Sequence, residues 1–390
     1  MNQQKTPLWR KYGKTVFKLL DRETIRTIPL IVEERKRDKF SAEGITKRVI
    51  KAAVGRERTI EEERMRTREG STDREREKEP TSQTIIRRMK RVRDVGVLEE
   101  RVRTVLREQF YRLKRKLKGK TICLAVDAHD EPYYGKKHYW TCGGRRKQST
   151  TTFVRVVALY LVHPGRPILL DVRRMDQSEG HTALMMITAL LQWLEDKRYS
   201  FRRIILLGDG KYCYVPLLSF LSANNIDFIV RAYPSRVSKT LGSELQRHNM
   251  LYRGKSYRHT LYSRLSGYFS TREIVYLDDD GINVYATSLS SSISRVVNLF
   301  RRRFRIENAF RDMRFLLLRT CSRDPRVRYT LLFLAFLLHH FLHYLLALTF
   351  SPSFFVLHRF IPCPFRQRLF FSALSSFFER SLSPSCGGDH

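Results

Sequence analysis

From Thr121 onward the chain alternates between short branched apolar runs and helical spacing. TICLAVD (121–127) is an unbroken apolar run closing on an acid, which predicts a buried strand ending at Asp127. TTFVRVVALYLV (151–162) and RPILLDVRRM (166–175) predict two more strands joined at HPGR. Between Thr182 and Lys197 the apolar residues Leu184, Ile187, Leu190, Leu191 and Leu194 recur at helical spacing. RRIILLGD (202–209) is a second buried strand ending in an acid, Asp209; a helix over Tyr212–Asn224 and a strand over 226–233 follow.

Three strands in sequence, then alternating helices and strands, predict an α/β fold: a mixed sheet flanked by helices, in the element order of the ribonuclease-H-like fold. Residues 234–295 carry strand-like alternation around Asp278-Asp279-Asp280-Gly281, read as a hairpin turn inside a β-rich insertion. A helix is expected over 296–318. Tyr329–Phe350 is the most apolar window, and its 22 residues are long enough for a bilayer. His339, His340 and His343 in its middle argue for a buried helix instead. His339 and His343 have metal-pair spacing at i, i+4, with no nearby acid or cysteine in the sequence to complete a site.

Before Thr121 the pattern is helical and basic. Ser41 is a candidate N-cap for SAEGITKRVIKAA, and Pro80 with Thr81 and Ser82 starts a second helix, SQTIIRRMKRVRDV. That helix carries Arg87, Arg88, Lys90 and Arg91, which are candidate DNA contacts. A helix-turn-helix with a stretched turn and a plain bundle with a basic face both fit. Residues 56–79 hold eight basic and nine acidic residues and read as a solvated linker. The expected domains are a helical basic region over 1–118 (linker about 56–80), a catalytic domain over 119–350 containing the insertion, and an irregular tail over 351–390 rich in Ser, Phe and Pro.

Charge decides the partner class. The chain of 390 residues has 74 basic and 39 acidic side chains, a net +35. Such a fold repels itself unless a polyanion neutralises it, which points to nucleic acid before an anionic membrane. The excess is spread: residues 1–120 carry 36 basic and 19 acidic residues, so both halves should meet the polyanion. Six cysteines without a C-x-x-C pair exclude zinc-finger and redox motifs and suit a reducing cytosol. The basic N-terminus lacks a continuous apolar core for a signal peptide, so a cytoplasmic, nucleoid-associated protein is expected.

Within 300–328 ten Lys/Arg meet three Asp/Glu. On a continuous helix, Phe300, Arg303 and Arg314 fall on the same stripe as Glu307. One acid among phosphate-binding cations suits a carboxylate that holds a metal, though a basic surface helix shows the same stripe. With Asp127 and Asp209 on adjacent strands of such a sheet, Glu307 makes a third carboxylate. Three converging carboxylates repel unless they bind cations, and Mg²⁺ or Mn²⁺, as two ions, fits oxygen ligands beside a phosphate. Asp130, Glu131, Asp176 and Glu179 are rival acids.

Phe300, Arg303, Glu307 and Arg314 match the spacing of a Y-x2-R-x3-E-x6-K signature, with Phe for Tyr and Arg for Lys. With AVDAHDEPYYGK (125–136) and LLGDGKYCYVPLL (206–218), the chain resembles DDE transposases of bacterial and archaeal insertion sequences, in an archaeal-like branch. The resemblance implies catalytic and metal-binding Asp127, Asp209 and Glu307. It implies DNA contacts from Arg303, Arg311, Arg314 and Phe300, and cut-and-paste transposition at terminal inverted repeats, with a homodimer in a synaptic complex.

Overall fold

The computed structural model describes residues 40–54, 59–62, 80–164 and 167–349. The N-terminal 39 residues, most of the expected linker and the tail lie outside the described residues. Among the described residues, contacts group into two compact units. One lies within Met1–Val105, Tyr133–Val154 and Arg311–His390, the other within Leu106–Pro132 and Arg155–Phe310. Both units are discontinuous in sequence, whereas the sequence reading draws its boundaries at 118 and 350.

The second unit is built on a sheet. Its strands are β1 (Thr121–Pro132), β3 (Thr150–His163, from Arg155 on), β4 (Ile168–Arg174), β5 (Arg203–Gly208), β6 (Asp227–Arg231), β7 (Gly254–Ser263), β8 (Gly267–Asp278) and β9 (Gly281–Thr287). The order runs β3-β1-β5-β6-β9-β8-β7, with β4 on the other side of β3. β1, β5 and β6 are parallel neighbours; β4 pairs antiparallel to β3, and β9 antiparallel to β6. The order β4-β3-β1-β5-β6 is that of a ribonuclease-H-like sheet. Ile122–Val126 are all buried, as an unbroken apolar run in a central strand requires.

Helix α4 (Glu179–Asp196) crosses from β4 to β5, and α5 (Val215–Ala223) links parallel β5 and β6. Ser178 Oγ caps α4 by accepting from the His181 amide at 3.1 Å. Ala183, Met186, Ile187, Leu190 and Leu194 are its buried stripe. One expectation is corrected: β1 does not stop at Asp127; it runs on to Pro132. Residues 234–295 are β-rich as expected: after helix α6 (Arg236–Arg247), β7–β9 follow and join the main sheet through the β6–β9 pair.

The single helix expected over 296–318 is segmented. α7 (Ile293–Phe300) passes into a 3₁₀ turn at Arg301–Arg303, then α8 (Phe304–Met313), then a 3₁₀ turn at Arg314–Leu316. The tighter 3₁₀ winding shifts the angular phase, so the four signature residues do not form one straight stripe.

The first unit holds α1 (Ala42–Val54), α2 (Ser82–Met89), the start of α3 (Val95–Arg112), the hairpin of β2 (Cys142–Lys147) with the first residues of β3, and α9 (Pro325–Thr349). Ser41 and Thr81 cap α1 and α2 as their sequences suggest. The helix expected to continue from α2 breaks at Lys90–Asp94, and a third helix, not read from the sequence, starts at Val95. In α9, Leu331–Phe341 are buried without interruption, and α9 packs on α2. Its apolarity serves the core of this unit. Among the described residues no helix is long and apolar enough to cross a membrane.

Candidate active site

The last paired residues of β1 and β5 are Ala125 and Leu207. Asp127 and Asp209 each lie two residues further along these parallel neighbours, about 5 Å apart in strand spacing. Gly208 makes the turn into Asp209 possible, since a Cβ there would come within 2.8 Å of Tyr212 Cβ. Asp209 caps the following 3₁₀ turn (Gly210–Tyr212), its Oδ1 accepting from the Lys211 amide at 3.0 Å.

Glu307 joins through an arginine. Arg303 donates from Nη1 to Asp127 Oδ2 at 2.9 Å and from Nη2 to Glu307 Oε1 at 2.5 Å. The guanidinium is seated between two rings, 5.7 Å from the Phe300 centroid and 5.5 Å from that of Phe304. Phe300 itself is buried, 4.7 Å from the Tyr285 ring. The sequence reading of Phe300 as a DNA contact is therefore corrected: the ring packs in the core, and what it presents is Arg303.

Burial pushes the Asp127 carboxyl up to about 6; Arg303 opposes this, and the nearby charges of Asp209 and Glu307 add to it. Two carboxylates thus share one guanidinium, with the charge of Asp209 acting on Asp127 as well. Beside them the buried Tyr212 hydroxyl has no hydrogen-bond partner among the described residues, and burial and the charges of Glu179, Asp127 and Asp209 hold its pKa well above normal. The donor set and the excess negative charge fit a hard divalent cation. The three carboxylates do not all close to within 4.8 Å of one another, because Arg303 stands between two of them. Arg303 occupies Oδ2 of Asp127 and Oε1 of Glu307, so an ion bridging the two through those oxygens would displace it.

The rival acids lie elsewhere. Asp130 takes a two-pronged bond from Arg155, with Nη2–Oδ2 at 2.9 Å. Glu179, 4% exposed, meets Arg155 Nη1 at 3.2 Å and Lys211 Nζ at 2.6 Å. This paired network was missed in the sequence, where 25 residues separate Asp130 from Arg155; only the closeness of Lys211 to Asp209 hinted at it. Asp176 is exposed, and Glu131 is half-buried with contacts of its own. Asp278 accepts from the Asp280 amide in a turn whose Gly281 has φ +102°, so these aspartates serve the hairpin.

Of the candidate cations, Arg311 and Arg314 are exposed in the first unit, as are Arg87 and Lys90, while Arg91 is half-buried. Arg88 is a correction: it is buried, and its Nη1 donates to the Phe40 carbonyl at 3.3 Å. Lys90 and Arg93 line an open cavity of about 940 Å³ with Lys136, Lys137 and Arg323. In it the rings of His138, Tyr139 and Trp140 stand 4.3–4.9 Å apart, with Tyr139 75% exposed.

A family profile described as the transposase DDE domain matches residues 118–341. A solved piggyBac transposase synaptic complex with hairpin DNA is similar in fold, with a TM-score of 0.50 at 11% identity. The match covers 98% of this chain and 84% of that one. No curated protein sequence matches the chain.

Proposed function

Since the chain belongs to the transposase DDE-domain family and is a DNA transposase, we propose that Asp127, Asp209 and Glu307 are its catalytic carboxylates. One observation carries the assignment: β1–β5 register aligns two acids, and Arg303 links the third to the first of them, Asp127. Divalent metal use is general in the family; the proposal here is that the trio holds Mg²⁺ or Mn²⁺, as two ions, which would activate the attacking oxygen and stabilise the leaving one. Arg303 keeps the carboxylates close before loading and turns to a DNA phosphate once it releases one of them. Lys211 holds the turn at Asp209 through its amide and anchors it on Glu179 through Nζ.

The proposed reaction is hydrolysis at inverted-repeat ends followed by attack of the freed 3′-hydroxyl on target DNA. Exposed Arg311 and Arg314 contact phosphates of the transposon end. The helical region up to about residue 118 binds the repeats through Arg87, Lys90 and Arg91. The basic cavity beside Lys90 contributes stacking surface for bases and cations for phosphates. A homodimer brings two ends together, as the name of the similar synaptic complex suggests for that protein.

The test uses the full-length chain, inverted-repeat DNA and a target plasmid. Wild-type protein with Mg²⁺ should nick the ends and join pre-cut ends to the plasmid. Asp209→Asn should bind the ends with unchanged affinity and do neither. Joining by Asp209→Asn would remove that residue from the site.

A further inference from the structure

The helix that carries Glu307 ends, in the first unit, next to the apolar helix α9. There Asp312, the penultimate residue of α8, meets His339 and His343 of α9. One ligand atom from each lies within 4.8 Å of the other two. The two Nε2 atoms are 3.0 Å apart, and the ring centroids 4.4 Å. His339 and His343 are 1% and 7% exposed. The acid that the i, i+4 histidines lack in the sequence comes from 27 residues upstream.

We propose that Asp312, His339 and His343 form a second metal site, for Zn²⁺, separate from the carboxylate trio. The ligand chemistry separates the two ions. Two imidazole nitrogens and one carboxylate oxygen suit borderline zinc, whereas three carboxylates suit Mg²⁺ or Mn²⁺. The spacing also fits. Zn–N bonds of about 2.0–2.1 Å at a tetrahedral angle put two nitrogens roughly 3.3 Å apart, a few tenths of an ångström from what is seen. His340 takes no part; it stacks on Tyr344 with ring planes 10° apart. Three protein ligands leave the fourth position of zinc to water, and a loaded site would tie the end of α8 to α9. This inference does not depend on the catalytic assignment.

Cobalt(II) tests it, because tetrahedral Co²⁺ has intense visible bands. The chelator-stripped full-length protein is titrated with Co²⁺ in excess Mg²⁺. The expected result is one equivalent bound with tetrahedral bands, bleached by one equivalent of Zn²⁺. The bands should persist in Asp209→Asn and vanish in His343→Gln. Circular dichroism checks the fold of each variant; if His343→Gln unfolds, the half-exposed Asp312→Asn decides. No bands in the wild type, or bands retained in Asp312→Asn, would overturn the site. Loss in Asp209→Asn alone would show that Co²⁺ reads the trio.

Discussion

Two clusters of acids in the second unit have opposite charge arithmetic. In the network of Asp130, Arg155, Glu179 and Lys211, two carboxylates meet two cations. In the trio, Asp127 and Glu307 share Arg303, and Asp209 adds a third negative charge close to Asp127. The first set is satisfied within the chain, so its worth is structural. The second is left negative in a protein of net +35, beside an orphaned Tyr212 hydroxyl, so it is poised for cations from outside. Nearness to a strand end or to a basic residue does not separate the two sets. The balance of charge does.

The largest contrast should come from removing one acid from each. Glu307→Gln should lower cleavage of inverted-repeat DNA by about a thousandfold or more, since groups acting as a unit lose nearly everything with one member. Its melting temperature should change little, because Glu307 is partly exposed. Glu179→Gln should do the reverse, costing about 1–3 kcal/mol in chemical denaturation by removing the buried partner that Lys211 and Arg155 share while Arg155 keeps Asp130, with cleavage retained to within roughly tenfold. Equal loss of activity in both would erase the distinction.

Arg303→Gln sharpens the comparison from the cation side. Without the guanidinium the trio should bind Mn²⁺ about tenfold more tightly by calorimetry, yet cleave roughly a hundredfold more slowly for want of a phosphate partner. Tighter binding together with faster cleavage would mean that Arg303 only blocks the site.

Much of this was legible in the chain. Apolar runs closing on Asp127 and Asp209 located both strands, and helix-compatible spacing put Arg303 on the same face as Glu307, where the structure has them in contact. What escaped was non-local. β1 continues past Asp127, and β9 docks on β6 to make residues 254–287 part of the main sheet; strand order is not written in any one segment. Burial of Phe300 and Arg88 also depends on neighbours far along the chain, Tyr285 and Phe40. The 3₁₀ turn at Arg301–Arg303 broke a phase argument that assumed one continuous helix.

A smaller effect concerns pH in the presence of chelator. The folded Asp127 carboxyl titrates near 6, above its ordinary value of 3.8, so the folded state holds the proton more tightly than the unfolded one. Its contribution to stability is therefore full below the ordinary value and is lost as pH rises through about 6. Asp127→Asn should be more stable than wild type at about pH 8, by on the order of 3 kcal/mol, the pull of Arg303 being already contained in the raised value. That advantage should fade as pH falls towards 4. A pH-independent difference would contradict the buried-carboxylate account.

The central claim is that under-neutralised carboxylates, and not merely neighbouring ones, make the cation site. Electron paramagnetic resonance of Mn²⁺ titrated into the full-length protein, with Zn²⁺ already supplied, reads this directly. The account predicts Mn²⁺ binding that is lost in Asp209→Asn and in Glu307→Gln and kept in Glu179→Gln. Binding that survives both trio substitutions, or that disappears only with Glu179→Gln, would contradict it.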